Sequence, residues 1–479
     1  MQWTRRAAAL MMALIILLSC AAAASELEPI VGYDPAQPEI LSEDHLYAQS
    51  VILIDAQTGT VLFEKNADRQ MSPASTTKIM TCMLALEHFA GDLDQYVTIP
   101  AEAGDLPDGS SVVPVRVGEQ MTVRDLLFGL MLHSGNDAAI ALAVLVSGDE
   151  ASFVELMNQR AQELGCTNTH FVNPHGYTAE GHYTSVRDMA MITQAAMQNE
   201  TFRNIVKTMK YTMAATNARS ALILTNTNLW GASSGMYKYK YGNGVKTGFT
   251  SAAGQCLVGS ATNDEGLTLI SVVFRSTTNN AEAKWLDSTK IMDYGFSRYD
   301  SYLFDQLYEM APLTVQIENA APEDPQGGTL RLNAQRITSA NVTAVLLDTE
   351  VDSYLTEFAG RFTVEYSSDL KAPIVSGARI GTLTYTHPDG TVVTAMLTAE
   401  RGVEAARSAA SDALRDFFSS TPSWILTTLA VLVLALFVLW RISVGIKKRE
   451  KRRRRIERAR RKALQQKKLQ QAQQNKKNL

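Results

Sequence analysis

The chain has 479 residues, 46% of them hydrophobic and 20% charged, with a net charge of −4. That length exceeds one ordinary domain, and the composition excludes a disordered or fibrous chain. The charge is unevenly placed: 17 Lys and Arg against 2 Glu give residues 441–479 a charge of +15 and leave −19 on everything before them, an asymmetry that calls for two compartments.

Arg5 and Arg6 precede an apolar run, Ala7 to Leu18, and small residues follow from Ser19 to Ala24. This is the pattern of a signal peptide over residues 1–24. Its twelve apolar residues make about 18 Å of helix, too short for a bilayer core of about 30 Å. Residues 25–45 are polar and proline-containing and predict a loose leader. Ser50 to Ile54 and Val61 to Phe63 predict a hairpin around Asp55-Ala56-Gln57-Thr58-Gly59. Thr77 to Phe89 and Ala138 to Val146 predict buried helices. Phe153 to Leu164 is amphipathic, with Phe153, Leu156, Met157, Ala161 and Leu164 on one face. Leu257 to Ala261 and Leu267 to Phe274 predict strands, and Ala283 to Tyr294 a closing helix. The fold class is therefore α+β, with early and late strands sharing one antiparallel sheet. That domain is placed at 46–305.

Residues 313–400 alternate short strands and turns and predict a small all-β domain. Residues 401–422 predict a stalk or surface helix. Trp424 to Trp440 is apolar, and with its flank to 444 predicts a transmembrane helix with a tryptophan at each end of the apolar run. The basic segment 445–479 follows at once. The positive-inside rule puts it in the cytoplasm, against anionic lipid rather than nucleic acid, and the acidic body outside. Once Cys20 leaves with the signal peptide, Cys82, Cys166 and Cys256 remain. Their irregular spacing fits neither a disulfide framework nor a metal site, and buried thiols are expected.

Three strings carry chemistry. In Ser75-Thr76-Thr77-Lys78, the i, i+3 spacing at a helix start places a hydroxyl and an amine on one face. A desolvated Lys78 beside another cation loses basicity and serves as base for Ser75. In Ser134-Gly135-Asn136, Gly135 is expected to let the chain turn tightly, Ser134 to relay a proton and Asn136 to hold a substrate amide. In Lys246-Thr247-Gly248, strand alternation turns Lys246 and Gly248 one way and Thr247 the other. Gly248 is expected to leave room for substrate, and Lys246 to attract a carboxylate. Alone, Ser75 is more often a helix cap and Lys246 more often a solvated lysine, and Ser134-Gly135-Asn136 is as often a simple cap. Ser368-Asp369-Leu370-Lys371 and Ser339-Ala340-Asn341 match two of the patterns by accident, without the helical context.

Together the strings resemble the active-site motifs of the serine penicillin-recognising enzymes, with Gly135 where class A β-lactamases have Asp. Ser72 to Lys78, His133 to Ala139, Asn173-Pro174-His175-Gly176, Gly244 to Thr250 and Asp293-Tyr294-Gly295-Phe296 resemble, more closely, the D-alanyl-D-alanine carboxypeptidases of low molecular mass. The resemblance implies a DD-peptidase/β-lactamase-like domain and a Ser75 acyl-enzyme formed on peptidoglycan stem peptides ending in D-Ala-D-Ala. It implies Lys78 as base, Ser134 as proton relay tuned by Lys246, Asn136 orienting the peptide and Thr247 on the terminal carboxylate. Backbone N–H groups of Ser75 and Phe249 would form the oxyanion hole. β-Lactams would acylate Ser75, and neither metal nor organic cofactor is required. A β-lactamase and a non-catalytic penicillin-sensing or wall-binding protein are the alternatives. Glu155, only superficially like the β-lactamase glutamate, is expected to be structural. His175 and His182 are expected to be satisfied loop histidines, and Arg275 is assigned no role.

Overall fold

Strand β1, Ser50–Asp55, is buried along its whole length. Its side chains alternate between two cores, Ile52 and Ile54 to one face and Val51 and Leu53 to the other, as a sheet covered on both faces requires. Strand β2, Val61–Lys65, returns antiparallel to it. Three late strands complete the sheet: β3, Gly242–Thr250; β4, Gly254–Thr262; and β5, Thr268–Phe274. The order is β2-β1-β5-β4-β3, antiparallel at every pairing. Early and late strands thus share one sheet, as expected. The computed structural model describes residues 27, 30 and 32–475, apart from 233, 278, 279, 368, 408 and 421. The signal peptide expected at 1–24 and the decoy serine at 368 lie outside the described residues.

Among the described residues, six α-helices precede the late strands: α1, Lys78–His88; α2, Val123–Leu132; α3, Asn136–Ser147; α4, Glu150–Glu163; α5, Val186–Met197; and α6, Glu200–Lys207. Side-chain caps start several of them: Thr122 accepts from the Asp125 N–H, Asp149 from Ser152 and Ser185 from Asp188, each such cap contributing about 1 kcal/mol. Helices α1 and α3 are buried all round over Lys78–Leu86 and Asn136–Ala143, which marks them as central. They pack in the core that includes Ile52, Ile54, Val258 and Ile270. A last helix, α7, Ala283–Arg298, covers the other face, where Trp285, Met292 and Tyr294 meet Leu53, Leu257 and Leu269.

From residue 32 on, the leader is not loose. Lys290 of α7 donates to the His45 carbonyl at 2.8 Å and lies over the rings of Tyr33 and Tyr47. The Asp287 carboxylate accepts the Tyr47 and Ala48 N–H groups at 3.0 and 2.9 Å. Polar composition hid this because the partners come from a helix more than 200 residues away. Residues 313–400 hold a five-stranded sheet, but also a helix, Val351–Gly360, that alternation did not predict. One apolar side chain decides the helix: Phe358 is 1% exposed and packs on Phe304, Phe362 and Tyr385. The described chain divides into two compact units. One runs to Pro312 and adds Ala334–Val364 and Thr382–Met396; the other takes Leu313–Asn333, Glu365–Gly381 and the residues from Leu397. These bounds cut across the expected 313–400 domain. Within the second unit, Ser423–Asn475 is one helix. It is the one helix among the described residues long and apolar enough to cross a membrane by length and composition. Cys82, Cys166 and Cys256 are buried and unpaired, as expected.

Candidate active site

The nucleophile string forms a 3₁₀ turn, Ala74–Thr77, and α1 begins at Lys78. A 3₁₀ turn eclipses side chains at i and i+3, which tightens the pairing expected from helical spacing. Lys78 Nζ lies 3.0 Å from Ser75 Oγ. Just before the serine, Ala74 adopts φ +47°, a left-handed conformation costing about 1–3 kcal/mol for a residue with a Cβ. Thr77 Oγ1 holds it by donating to the Ala74 carbonyl at 2.9 Å. His182 stands behind Thr77: its Nδ1 accepts the Val172 N–H at 3.0 Å, which leaves Nε2 to donate to Thr77 Oγ1 at 3.0 Å.

Lys78 is fully buried. Its Nζ has three hydrogen-bond partners: Ser75 Oγ at 3.0 Å, Asn136 Oδ1 at 2.8 Å and the His175 carbonyl at 2.6 Å. Burial, reinforced by the charge of Lys246, pushes its pKa well below the ordinary 10.5, against an opposing pull from Asp137. Desolvation and a like charge both disfavour the protonated form, so the site favours the neutral amine. His175 and His182 are pushed down to about 3 and about 4, chiefly by burial. Both are neutral, hydrogen-bonded and structural, as expected.

The second string begins α3, but its backbone corrects the expectation for Gly135. Ser134 takes the left-handed conformation, at φ +63°, while Gly135 has an ordinary φ of −61°. Glycine is needed there for space. An added Cβ would lie 2.3 Å from Val113 Cγ2 and 2.7 Å from Asp137 Oδ1. That crowding exists because the buried Asp137 carboxylate accepts the N–H groups of Val113 and Val115 at 3.0 and 3.1 Å. Asn136 adds two bonds, N–H to the Ser111 carbonyl at 2.7 Å and Nδ2 to Ser110 Oγ at 3.1 Å. Together they lash the 108–115 loop to the start of α3.

The third string lies on β3, an edge strand, with Lys246 and Gly248 buried and Thr247 partly exposed. Here too a glycine has another purpose than expected. A Cβ on Gly248 would meet the Pro73 carbonyl at 3.0 Å and the Ser75 nitrogen at 3.2 Å. It makes room for the nucleophile turn, not for substrate. Lys246 is fully buried, and its one hydrogen bond among the described residues is to the neighbouring Thr247 carbonyl at 3.1 Å. Burial, then Lys284, brings it down to about 7. Thr247 Oγ1 donates to Thr227 Oγ1 at 3.1 Å.

A cleft of about 440 Å³ opens over these elements. Ser75, Asn136 and Phe249 line it, together with Asp108–Ser111, Gly176–Thr178 and Thr250–Ala252. Lys78 lies beneath, joined to two lining residues by hydrogen bonds. Ser134, Lys246 and Thr247 are not in the lining, and no hydrogen bond joins them to Ser75 or Lys78 among the described residues; Lys246 acts on Lys78 through its charge. The reading from sequence missed the 108–111 wall, Asp137 and the His175 carbonyl. Asp137 was legible as the residue after Ser134-Gly135-Asn136, and His175 within Asn173-Pro174-His175-Gly176. Glu155 is exposed on α4 and does not line the cleft. Burial pushes the Cys82 thiol up, which makes it inert.

Residues 37–278 match the D-alanyl-D-alanine carboxypeptidase family, peptidase family S11. The chain belongs to that family. It is 37% identical over 261 residues to the D-alanyl-D-alanine carboxypeptidase DacF of Bacillus subtilis (strain 168), covering 53% of this chain and 64% of that protein. It is 33% identical over 352 residues to the D-alanyl-D-alanine carboxypeptidase DacA of Escherichia coli (strain K12), covering 71% and 79%. Among solved structures, penicillin binding protein 5 from Haemophilus influenzae is similar over 76% of this chain and 99% of its own, at 28% identity and a TM-score of 0.51. Family membership thus agrees with the resemblance carried by the three strings.

Proposed function

We propose that this protein is a serine-type D-Ala-D-Ala carboxypeptidase that trims peptidoglycan stem peptides through a Ser75 acyl-enzyme. The observation that carries this is the contact of a fully buried Lys78 with Ser75 Oγ at 3.0 Å and Asn136 Oδ1 at 2.8 Å. Neutral Lys78 takes the Ser75 proton as Oγ bonds to the carbonyl carbon between the two D-alanines. The Ser75 and Phe249 N–H groups stabilise the oxyanion. As the C–N bond breaks, Ser134 passes its proton to the departing D-alanine amine and takes up the one held by Lys78, which returns Lys78 to the neutral amine; the charge of Lys246 tunes that transfer. Asn136 orients the peptide, and Thr247 with Lys246 receives the terminal carboxylate. Water then hydrolyses the ester, with Lys78 again as base.

The helix from Ser423 anchors the protein in the bacterial cell membrane and meets its lipid together with the basic residues that follow. The positive-inside rule places those residues in the cytoplasm and the cleft outside, facing the wall. β-Lactams mimic the D-Ala-D-Ala unit and stall as a slow ester on Ser75. The test is D-alanine release from a D-Ala-D-Ala-ended peptide, run beside penicillin labelling. Wild type is expected to do both and Ser75→Ala neither. Labelling without release would sink the carboxypeptidase in favour of a penicillin sensor, and rapid penicillin turnover would favour a β-lactamase.

A further inference from the structure

A second cavity, of about 380 Å³, shares Ala252 of the β3–β4 turn with the cleft. Its remaining lining is Gln49, Arg69, Gln70, Met71, Ser72, Ala253 and Arg275: two guanidiniums, two amides and no carboxylate. That is unusual in a body of net charge −19. Three observations mark it as built for an anion. First, neither arginine has an ion-pair partner among the described residues; Arg275 Nη1 donates to the Ala252 carbonyl at 2.7 Å, which aims the group along the turn shared with the cleft. Second, Arg275 is held at φ +54°, a strained conformation that persists only where the surroundings impose it and that clusters at ligand sites. Third, Ser72 Oγ is buried, in a residue of the lining, without a hydrogen-bond partner among the described residues, whereas buried polar atoms are nearly always paired.

The direction of the cleft suggests the occupant. Its lining runs from Ser75 along Phe249, Thr250 and Ser251 to Ala252. An acyl chain leaving Ser75 alongside the end of β3 arrives at the turn, and the arginine cavity begins there. We propose that this cavity is a carboxylate subsite for the acyl arm of the substrate, the peptide on the N-terminal side of the scissile bond. The proposal rests on the carboxypeptidase reading only for the identity of that peptide. Paired guanidiniums suit a carboxylate because each presents a planar fork of donors, and the Ser72 hydroxyl and glutamine amides supply further donors.

The test uses the full chain in detergent and D-Ala-D-Ala peptides bearing a free side-chain carboxylate or its primary amide. The group is placed at the residue before the D-Ala-D-Ala pair or at the one preceding it. Two readouts are taken: kcat/KM for D-alanine release, and competition with penicillin labelling of Ser75, which needs no turnover. Wild type is expected to prefer one acidic peptide over its amide by roughly tenfold in both, the scale of a charge-assisted hydrogen bond. Arg275→Gln and the more exposed Arg69→Gln are each expected to remove most of that preference while leaving amide peptides and penicillin labelling unchanged. Equal handling of acid and amide by wild type at both positions overturns the subsite and leaves the carboxypeptidase reading intact. Absent release with acid-selective competition sinks the carboxypeptidase reading and keeps the subsite. If inorganic phosphate competes equally against acid and amide peptides and the arginine variants abolish only that inhibition, the cavity takes free anions and the proposal fails.

Discussion

Lys78 and Lys246 are both without solvent exposure, and their surroundings differ. Lys78, at the start of α1, has three hydrogen-bond partners supplied by three segments of chain. Lys246, on edge strand β3, has one, its neighbour's carbonyl. Both are shifted down by burial, and the charge of Lys246 shifts Lys78 further. The difference separates two ways of using an amine. A lysine whose hydrogen-bonding positions are filled is fixed in place and free to trade one proton. A lysine buried with its charge unanswered waits for an anion to answer it.

Exchange of each for arginine should give the largest contrast. Arginine keeps the charge and cannot act as a base, so Lys78→Arg is expected to lose about a thousandfold or more in Ser75 acylation by penicillin. Lys246→Arg is expected to stay within about tenfold of wild type. Equal losses, read by stopped-flow labelling, would erase the distinction. Next comes Asn136→Ala, which removes one of the Lys78 acceptors and the link to Ser110; a fall of about a hundredfold in kcat with a smaller change in KM is expected, as for loss of a positioning contact in a desolvated site.

A third outcome concerns pH. Lys246 loses its proton as pH rises through about 7 in the free protein, so the charge proposed to receive a carboxylate is present below that pH and lost above it. KM for a D-Ala-D-Ala peptide should climb on the alkaline side, and Lys246→Arg should flatten that rise. An unchanged alkaline limb in the variant would assign it to another group. The smallest effect on chemistry, and a distinct one on stability, is expected from Asp137→Ala. Removing this carboxylate orphans the Val113 and Val115 N–H groups at a cost of about 2–4 kcal/mol, measured by denaturant unfolding of the detergent-solubilised chain. A loss below about 0.5 kcal/mol, the usual scale of a surface change, would show that the 108–115 loop is held otherwise.

The lysine comparison also marks what was legible in the sequence. The three strings, the shared antiparallel sheet and the central helices follow from side-chain type and period, because Ile52, Ile54, Val51 and Leu53 declare two buried faces by alternation alone. What filled Lys78's third position was not legible, since the His175 carbonyl is a backbone group that every residue possesses. The two glycines misled for a related reason. Gly135 and Gly248 suggest flexibility and substrate room when read singly, yet what each accommodates, Val113 and the Ser75 turn, comes from elsewhere in the chain. The helix at Val351–Gly360 escaped because a single buried aromatic is too sparse a signal to set a period. The arginine cavity depends on Arg69 and Arg275, 206 positions apart in the chain, lining one cavity, which no local pattern encodes.

The central claim is that neutral Lys78 is the base for Ser75. It is tested most directly by the pH dependence of Ser75 acylation by penicillin, followed by intact mass in wild type and in the two arginine variants. The account predicts an acid limb governed by one ionisation well below the 10.5 of an ordinary lysine, retained in Lys246→Arg and lost, with the rate itself, in Lys78→Arg. Acylation that persists in Lys78→Arg with the same acid limb would contradict it.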